Sequence, residues 1–378
     1  MSSTTTAAAQ PLLQEREHPS TRVQVSAAVQ APHYFLFDYL RFLLAAGVLA
    51  GHANAGGVLP GYLADLCVKV FFALSGFLIG GILLRTRPQD LPRFYFNRVT
   101  RIWIPYAIAI GLLLLGTIAY GQPLIARTLE FFFYKVTFVY NVFGPPQLAR
   151  FANLMPLKGT GNHFWSICVE EQFYLVAPLV IIFFRRLRVP LLIAVWLIGT
   201  VFQNTSVNFS PIALGVLLAI SKARFGSWYL RMPGMLACLA LWGASAVAII
   251  MRLPGYDPTA ALFAASSVAL LARTGVQLPF GEFAGGLSYP LYLNHWIGLL
   301  LIKPIERWFA FGTGAATMTG SAIAIGLALA HFAVVDRRIL HNRTCWYTPR
   351  RGVICCAFAY ALLVMGLLVG FWIAGPAK

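Results

Sequence analysis

Acidic side chains are scarce in this chain: Asp and Glu number 12 among 378 residues, against 29 Lys and Arg. Charged residues make up 11% of the sequence and hydrophobic ones 59%, with a mean hydropathy of +0.72. A soluble globular domain carries about a quarter charged residues, so this shortage of charge excludes one. What remains is a chain of apolar runs long enough to span about 30 Å of hydrocarbon, with no room for a large soluble domain between them. A formal net charge of +17 suggests nucleic acid only where a soluble fold presents a basic face. Here Lys and Arg fall in clusters between apolar runs, as the positive-inside bias produces, and no nucleic-acid partner is expected. The six cysteines, Cys67, Cys168, Cys238, Cys345, Cys355 and Cys356, lack the spacing of a zinc site or a disulfide framework. Most lie in apolar runs and read as small packing residues. Residues 1–30 lack a short apolar core preceded by positive charge, so they read as a disordered cytoplasmic tail rather than a cleaved signal.

Eleven candidate spans follow from hydropathy: 34–55, 66–85, 102–120, 164–184, 190–204, 208–222, 233–251, 258–273, 285–304, 315–335 and 352–374. Several are short, which predicts tilted or broken helices. The loop RTRPQDLPRFYFNRVTR, with Arg85, Arg87, Arg93, Arg98 and Arg101, should face the cytoplasm, as should Arg185, Arg186 and Arg188. An even number of crossings must separate these two loops, so the aromatic stretch LEFFFYKVTFVYNVF (129–143) is expected to be a partial or interfacial helix on the outer side. The fold class is thus an all-α polytopic membrane protein with its N-terminus inside and its C-terminus outside. Its expected divisions are a tail at 1–30, a transmembrane domain at 31–340, and a basic cytoplasmic loop plus one further helix at 341–378. No internal repeat is visible, and so no sign of the inverted repeats common in secondary transporters.

Ionisable side chains at membrane depth are costly unless paired or wet, which makes each a functional candidate. In FDYLRFLLAAGVLAGHANAGG, Arg41 and His52 stand eleven residues apart, about 16 Å along a helix and about 20° off one face. Ala45 and Val48 lie between them, predicting a groove lined by small residues. The alternative is that His52 bonds a neighbouring helix and Arg41 snorkels to headgroups. In KVFFALSGFLIGG, Ser75 and Gly76 permit close backbone approach, which packing alone would explain. Arg98 and Arg101 stand one turn apart, suited equally to anchoring or to phosphate. In FWSICVEEQFY, Ser166, Glu170 and Tyr174 align at four-residue spacing, and Glu171 points about 100° away. One carboxylate should face an aqueous mouth or a helix cap and the other the interior, with Arg41, Arg98, Arg101, His52 or His163 as its partner. In GGLSYPLYLNHWIGLLL, Ser288, Tyr292 and His295 share one face.

Taken in order, these stretches resemble the membrane-bound acyltransferase-3 family, bacterial enzymes that O-acetylate cell-surface polysaccharides and related glycans. The likeness rests on the Arg41 to His52 spacing, FFALSGFLIGG, FYFNRVTRIWIPY, HFWSICVEEQFYLVAP and LSYPLYLNHW. It implies a core of about ten spans in the cytoplasmic membrane of a bacterium. It implies transfer of an acetyl or other short acyl group from cytoplasmic acyl-CoA, usually acetyl-CoA, to a hydroxyl of a glycan or lipid-linked saccharide. His52 would be catalytic with Arg41 as its companion, and Arg98 and Arg101 would bind the donor. Glu170 and Glu171 would form the family's carboxylate motif, and no metal is implied. Ser75 is a candidate for the donor site, and Trp165, Ser166, Tyr174, Tyr292 and His295 are candidates for substrate or structural roles. Two departures stand out: Lys69, where relatives often carry an acidic or neutral residue, and the absence of the extracytoplasmic esterase-like domain of many relatives. Any second step carried by that domain is expected to fall to another protein.

An imidazole with a pKa near about 6.5 suits proton abstraction from an acceptor hydroxyl, and a covalent route through His52 or Ser75 is the other option. The CoA phosphates are too highly charged for hydrocarbon, so they should stay at the arginines while the pantetheine arm reaches inward by about 15–20 Å, comparable to the helical rise from Arg41 to His52. The competing class is a transporter or flippase of a glycan or lipid precursor. The acceptor, the acyl length and the oligomeric state are not legible in the sequence.

Overall fold

A computed structural model describes residues 33–53, 57–119, 126–144, 162–202, 207–275, 278–309 and 312–374, and the tail expected at 1–30 lies outside them. Among the described residues every regular element is helical. In chain order the helices are α1 (Phe35–Ala53), α2 (Leu63–Leu83), α3 (Leu91–Ala119), α4 (Ala126–Val136), α5 (Tyr140–Phe143), α6 (Trp165–Pro178) and α7 (Arg188–Val201). After them come α8 (Ser210–Phe225), α9 (Met232–Ile250), α10 (Tyr256–Leu271), α11 (Gly281–Phe309), α12 (Thr313–His331), α13 (Arg337–Trp346) and α14 (Pro349–Ala374). Among the described residues seven helical segments are long and apolar enough to cross a membrane, and a helix occupies each of the eleven expected span positions. The chain is an all-α polytopic membrane protein.

The structure corrects two boundaries and otherwise fits the expected broken and partial helices. The third span does not begin where the charges end: α3 is one helix of 29 residues from Leu91, so Arg93, Arg98 and Arg101 sit on a helix and not in a loop. The hydropathy window stopped at the basic residues, whereas helix propagation depends on backbone bonding, which arginine supports well. Two helices change pitch, with π-turns at Leu179–Phe183 and Phe332–Asp336, and the second carries the chain directly into α13. Residues 337–346 are therefore helical rather than part of a basic loop. The aromatic stretch forms α4 and the four-residue α5, too short to cross.

Close approach of small residues fixes the helix order. A Cβ on Gly76 of α2 would lie 2.2 Å from the Ile212 carbonyl oxygen of α8, and one on Gly215 would lie 2.1 Å from the Ala73 carbonyl oxygen. Backbones in contact at these distances are what small residues achieve in membrane helices, where lipid offers no hydrophobic drive to association. Asp38 of α1 meets Gly285 of α11 and His52 meets His295, so α1 and α11 run parallel. Gly298 abuts Ala324, and Gly286 abuts Phe332, so α11 and α12 run antiparallel. These directions agree with the alternation read from the sequence.

Lys69 is buried on α2. Its Nζ lies 2.6 Å from Asp257 Oδ1 of α10 and 3.5 Å from Asp65 Oδ2, and the Tyr256 hydroxyl donates to Asp65 at 2.8 Å. Lys69 is thus half of an ion pair joining two helices. All six cysteines are free. Cys67, Cys168 and Cys238 are buried as packing residues, but Cys345 is exposed on α13.

Candidate functional site

The polar groups gather at two places along α1. At its C-terminal end, His295 of α11 lies against His52, with His295 Nε2 at 3.2 Å from His52 Nδ1 and the rings stacked at 5.1 Å between centres. His295 Nδ1 is 2.7 Å from the Tyr292 carbonyl oxygen, which can only accept, so Nδ1 carries the proton. In the neutral ring Nε2 is then an acceptor, and the short contact requires His52 to donate through its own Nδ1–H. That leaves the lone pair of His52 Nε2 free to take a proton. His52 is exposed, while His295 is fully buried.

A third imidazole stands behind the pair. The His163 ring centre is 4.6 Å from that of His295, and both His163 ring nitrogens are buried without a hydrogen-bond partner. Its carbonyl lies 3.1 Å from Ser166 Oγ and 2.9 Å from the Tyr292 hydroxyl, which also contact each other, so one hydroxyl donates to the carbonyl and the other to its neighbour. Ser166 and Tyr292 thereby hold the turn before α6 against α11. Trp165 packs edge-on to Phe72 at 5.9 Å and braces the same turn. Ser288 bonds back to the Gly285 carbonyl at 2.7 Å and does not reach the histidines.

The second place surrounds Arg41 and the adjacent glutamates. Ser75 Oγ donates to Glu170 Oε1 at 2.7 Å and the Tyr174 hydroxyl to Oε2 at 3.1 Å. Trp103 Nε1 donates to Glu171 Oε2 at 2.7 Å, and Glu171 Oε1 is buried without a partner. Neither carboxylate caps a helix, since both lie more than a turn inside α6. Nor does either pair directly with a cation or histidine, because the buried partner of Glu171 is an indole. Arg41 bonds Asp38 at 3.3 Å, and His33 reaches the other Asp38 oxygen at 3.1 Å. The Arg98 guanidinium lies 5.7 Å from the Tyr174 ring centre and 5.8 Å from that of Phe94. Arg41, Arg98, Arg101 and Arg343 all lie within Coulomb range of one another or of a shared member of the group.

The groove expected between the two places is not open in this structure, because Ala45 and Val48 are both fully buried by neighbouring helices. Ser75, a candidate for the donor site, donates to Glu170 within the arginine-carboxylate place. Sequence reasoning missed Trp103, which passes for an apolar residue although its N–H must be satisfied when buried, and Arg343, which looked like loop charge. It also missed Lys135, fully buried with its Nζ at 3.6 Å from the Tyr140 ring centre and 4.3 Å from that of Phe131. Among the described residues no group of three His, Cys, Asp or Glu is placed to hold a metal ion.

An all-helical membrane protein with a histidine pair and an arginine-carboxylate cluster built on one shared helix belongs among the polytopic enzymes and transporters that work at membrane depth. The family model described as an acyltransferase domain, that of acyltransferase-3, matches residues 35–335. The chain belongs to the acyltransferase-3 family. It is similar to the O-acetyltransferase OatA of Staphylococcus aureus (strain NCTC 8325 / PS 47), 33% identical over 153 residues, covering 39% of this chain and 24% of the relative. It is also similar to the peptidoglycan O-acetyltransferase OatA of Listeria monocytogenes serovar 1/2a (strain ATCC BAA-679 / EGD-e), 29% identical over 172 residues, covering 43% and 26%. The chain thus aligns with about a quarter of the length of these curated relatives. No solved structure matches it.

Proposed function

We propose that the protein is a membrane O-acyltransferase that moves an acetyl or other short acyl group from cytoplasmic acyl-CoA to a hydroxyl of a polysaccharide or lipid-linked glycan. The observation that carries the reading is the His52–His295 contact, which leaves one ring nitrogen of His52 as an unencumbered base. The family match and the O-acetyltransferase relatives support the reaction class.

In this mechanism His52 Nε2 takes the proton of the acceptor hydroxyl as its oxygen attacks the thioester carbonyl. The acyl–oxygen bond forms, the acyl–sulfur bond breaks, and the departing thiolate receives the proton from His52. His295 acts as a positioning residue, fixing which nitrogen of His52 faces the substrate. The His163 nitrogens and the Trp296 indole N–H, all buried without a partner beside this pair, are further polar groups that a ligand entering there could meet. The donor's phosphates would rest at the arginines, outside hydrocarbon. Because Ala45 and Val48 seal the direct stripe, the pantetheine arm requires either a separation of helices around α1 or a track on another face. The reading places the protein in a bacterial cytoplasmic membrane with its N-terminus inside.

The test uses purified wild type, His52→Ala and His295→Gln, each incubated with acetyl-labelled acetyl-CoA and membrane glycan extract. Label should enter glycan with the wild type and fall by about 10²–10⁴ in His52→Ala, the range for a positioned general base. His295→Gln keeps an acceptor for His52 and should retain kcat within about tenfold, the worth of one hydrogen bond, with an altered pH profile and little change in donor KM. Solute movement without thioester consumption by any of the three proteins would replace this reading with transport.

A further inference from the structure

The match to the acyltransferase domain ends at residue 335, yet the next segment returns to the arginine cluster. The π-turn Phe332–Asp336 leads into α13. Beyond it Tyr347 packs edge-on to Phe96 of α3 at 5.4 Å, and the Arg93 guanidinium lies 5.5 Å from the Tyr347 ring centre. The start of α14 is pressed onto α3 so closely that a Cβ on Gly352 would lie 2.6 Å from the Pro92 carbonyl oxygen. These contacts dock α13 beside the first turns of α3 and bring Arg343, half-buried, within Coulomb range of Arg98 and Arg101.

Three guanidiniums within Coulomb range of one another need compensation. Glu170, Glu171 and Asp336 lie within Coulomb range of the group, but their near partners are Ser75, Tyr174, Trp103 and His331. Among the described residues, Arg98, Arg101 and Arg343 make no ion pair within 4 Å and no hydrogen bond, in contrast to Arg41 with Asp38. Arg98 Nε is buried without a partner. Each guanidinium carries five N–H donors in a planar fork that fits phosphate oxygens two at a time, and mutual repulsion makes their convergence unfavourable unless an anion of several charges joins them. A carboxylate of the chain has not filled that role, although Glu170, Glu171, Asp336 and also Asp38 lie nearby. The geometry points to an anion supplied from outside.

We propose that Arg343, on the segment beyond the matched domain, joins Arg98 and Arg101 in one cradle for a phosphate-bearing anion. The proposal extends the donor half of the acyltransferase reading, in which that anion is the nucleotide end of the thioester. A phospholipid headgroup offers the same chemistry from the membrane side.

The experiment places the full chain in nanodiscs of neutral phosphatidylcholine and measures binding of adenosine 3′,5′-bisphosphate to wild type, Arg343→Gln, Arg343→Lys and Arg98→Gln, with thermal unfolding of each. Wild type should bind and Arg343→Gln should bind at least about tenfold more weakly. Arg343→Lys should fall between, because a point charge replaces a bidentate fork. Unliganded Arg343→Gln should unfold at the wild-type temperature or above it, since one like charge has left the cluster, an outcome that a merely structural arginine would not give. A parallel arm replaces part of the lipid with phosphatidylglycerol. Wild type that ignores the bisphosphate but gains Arg343-dependent stability from phosphatidylglycerol would keep the cradle and overturn the thioester-donor reading. Arg343→Gln equal to wild type in both arms, or no binding of either anion by wild type, would overturn the cradle itself.

Discussion

Replacing Lys69 by Met should be among the most damaging single changes outside the candidate site, and the structure says why the three charges of its network differ in cost. Lys69 and Asp257 side chains are 2% and 5% exposed, and their charged atoms are 2.6 Å apart. Removing the lysine leaves Asp257 as a buried carboxylate with no counter-charge, a loss of about 3–5 kcal/mol. Asp257→Asn costs less, on the order of 1–3 kcal/mol, because Asp65 remains 3.5 Å from Lys69 and the amide oxygen still accepts. Asp65→Asn costs least, about 0–1 kcal/mol, because that side chain is 25% exposed and keeps the Tyr256 hydroxyl. At about 2 °C per kcal/mol, the lower end of the scaling for long chains, Lys69→Met should melt about 6–10 °C below wild type. The double variant Lys69→Met with Asp257→Leu should recover most of that loss, since a buried pair exchanged for well-packed apolar residues is often neutral. Unfolding followed by tryptophan fluorescence in detergent gives the ranking, and labelled acetyl transfer should persist in every variant that stays folded. Equal losses for Lys69→Met and Asp257→Asn would show that Asp65 does not share the lysine, and a double variant no better than Lys69→Met would refute the account of an orphaned charge.

The two glutamates should separate activity from stability. Glu170→Gln removes a negative charge beside Arg41 and Arg98 and keeps an acceptor oxygen for only one of Ser75 and Tyr174, leaving the other hydroxyl to accept from the amide. Turnover should therefore fall at least about tenfold, while stability against unfolding drops by no more than one lost hydrogen bond, about 1 kcal/mol. Glu171→Leu strips the partner from the Trp103 indole, and a buried N–H left unpaired should cost about 1–3 kcal/mol in the same unfolding assay. Turnover intact in both would reduce the pair to scaffolding. On α2, Gly76→Ala should destabilise by about 1–3 kcal/mol because its Cβ meets the Ile212 backbone. Gly81→Ala, with nothing within 4 Å of its Cβ, should be neutral or stabilising by up to about 1 kcal/mol, and a loss there would count against the α2–α8 crossing.

Hydropathy alone places a helix at every expected span, because lipid makes the apolar run and the backbone-satisfied helix the same object. Boundaries are less legible. Arg93, Arg98 and Arg101 end the hydropathy signal of α3 but not its helix, and the π-turns before Phe184 and Arg337 leave no mark in composition. Residue identity shows that Glu171 must be satisfied, but not that an indole 68 positions earlier does it. Lys69 is similar, since its partner lies 188 positions away and only the α2–α10 contact joins them. Arg343 was read as loop charge because positive-inside anchoring already explained it, and an arginine with one sufficient explanation hides a second. The His52–His295 contact was foreseen only as two separate polar positions on their own spans.

Two adjacent glutamates in an apolar, aromatic stretch look redundant until their directions are followed. Neighbours on a helix point about 100° apart, so a single face of α6 cannot hold both, and it does not. Glu170 reaches α2 through Ser75 and Glu171 reaches α3 through Trp103. One pair of carboxylates therefore ties α6 to two helices at once, and α3 carries Arg98 and Arg101 while α2 packs against α1. A cluster of arginines could be placed near the membrane surface by loops, but loops would not hold its position relative to His52, about 16 Å up the same helix as Arg41. Rigid helices cross-linked by buried carboxylates would. The scarcity of acidic residues in the chain then acquires a meaning: five of the 12, namely Asp38, Asp65, Glu170, Glu171 and Asp257, make hydrogen bonds or ion pairs on α1, α2, α6 and α10. Four of those five connect different helices, so most of the acid in this network fixes the geometry in which the basic groups act.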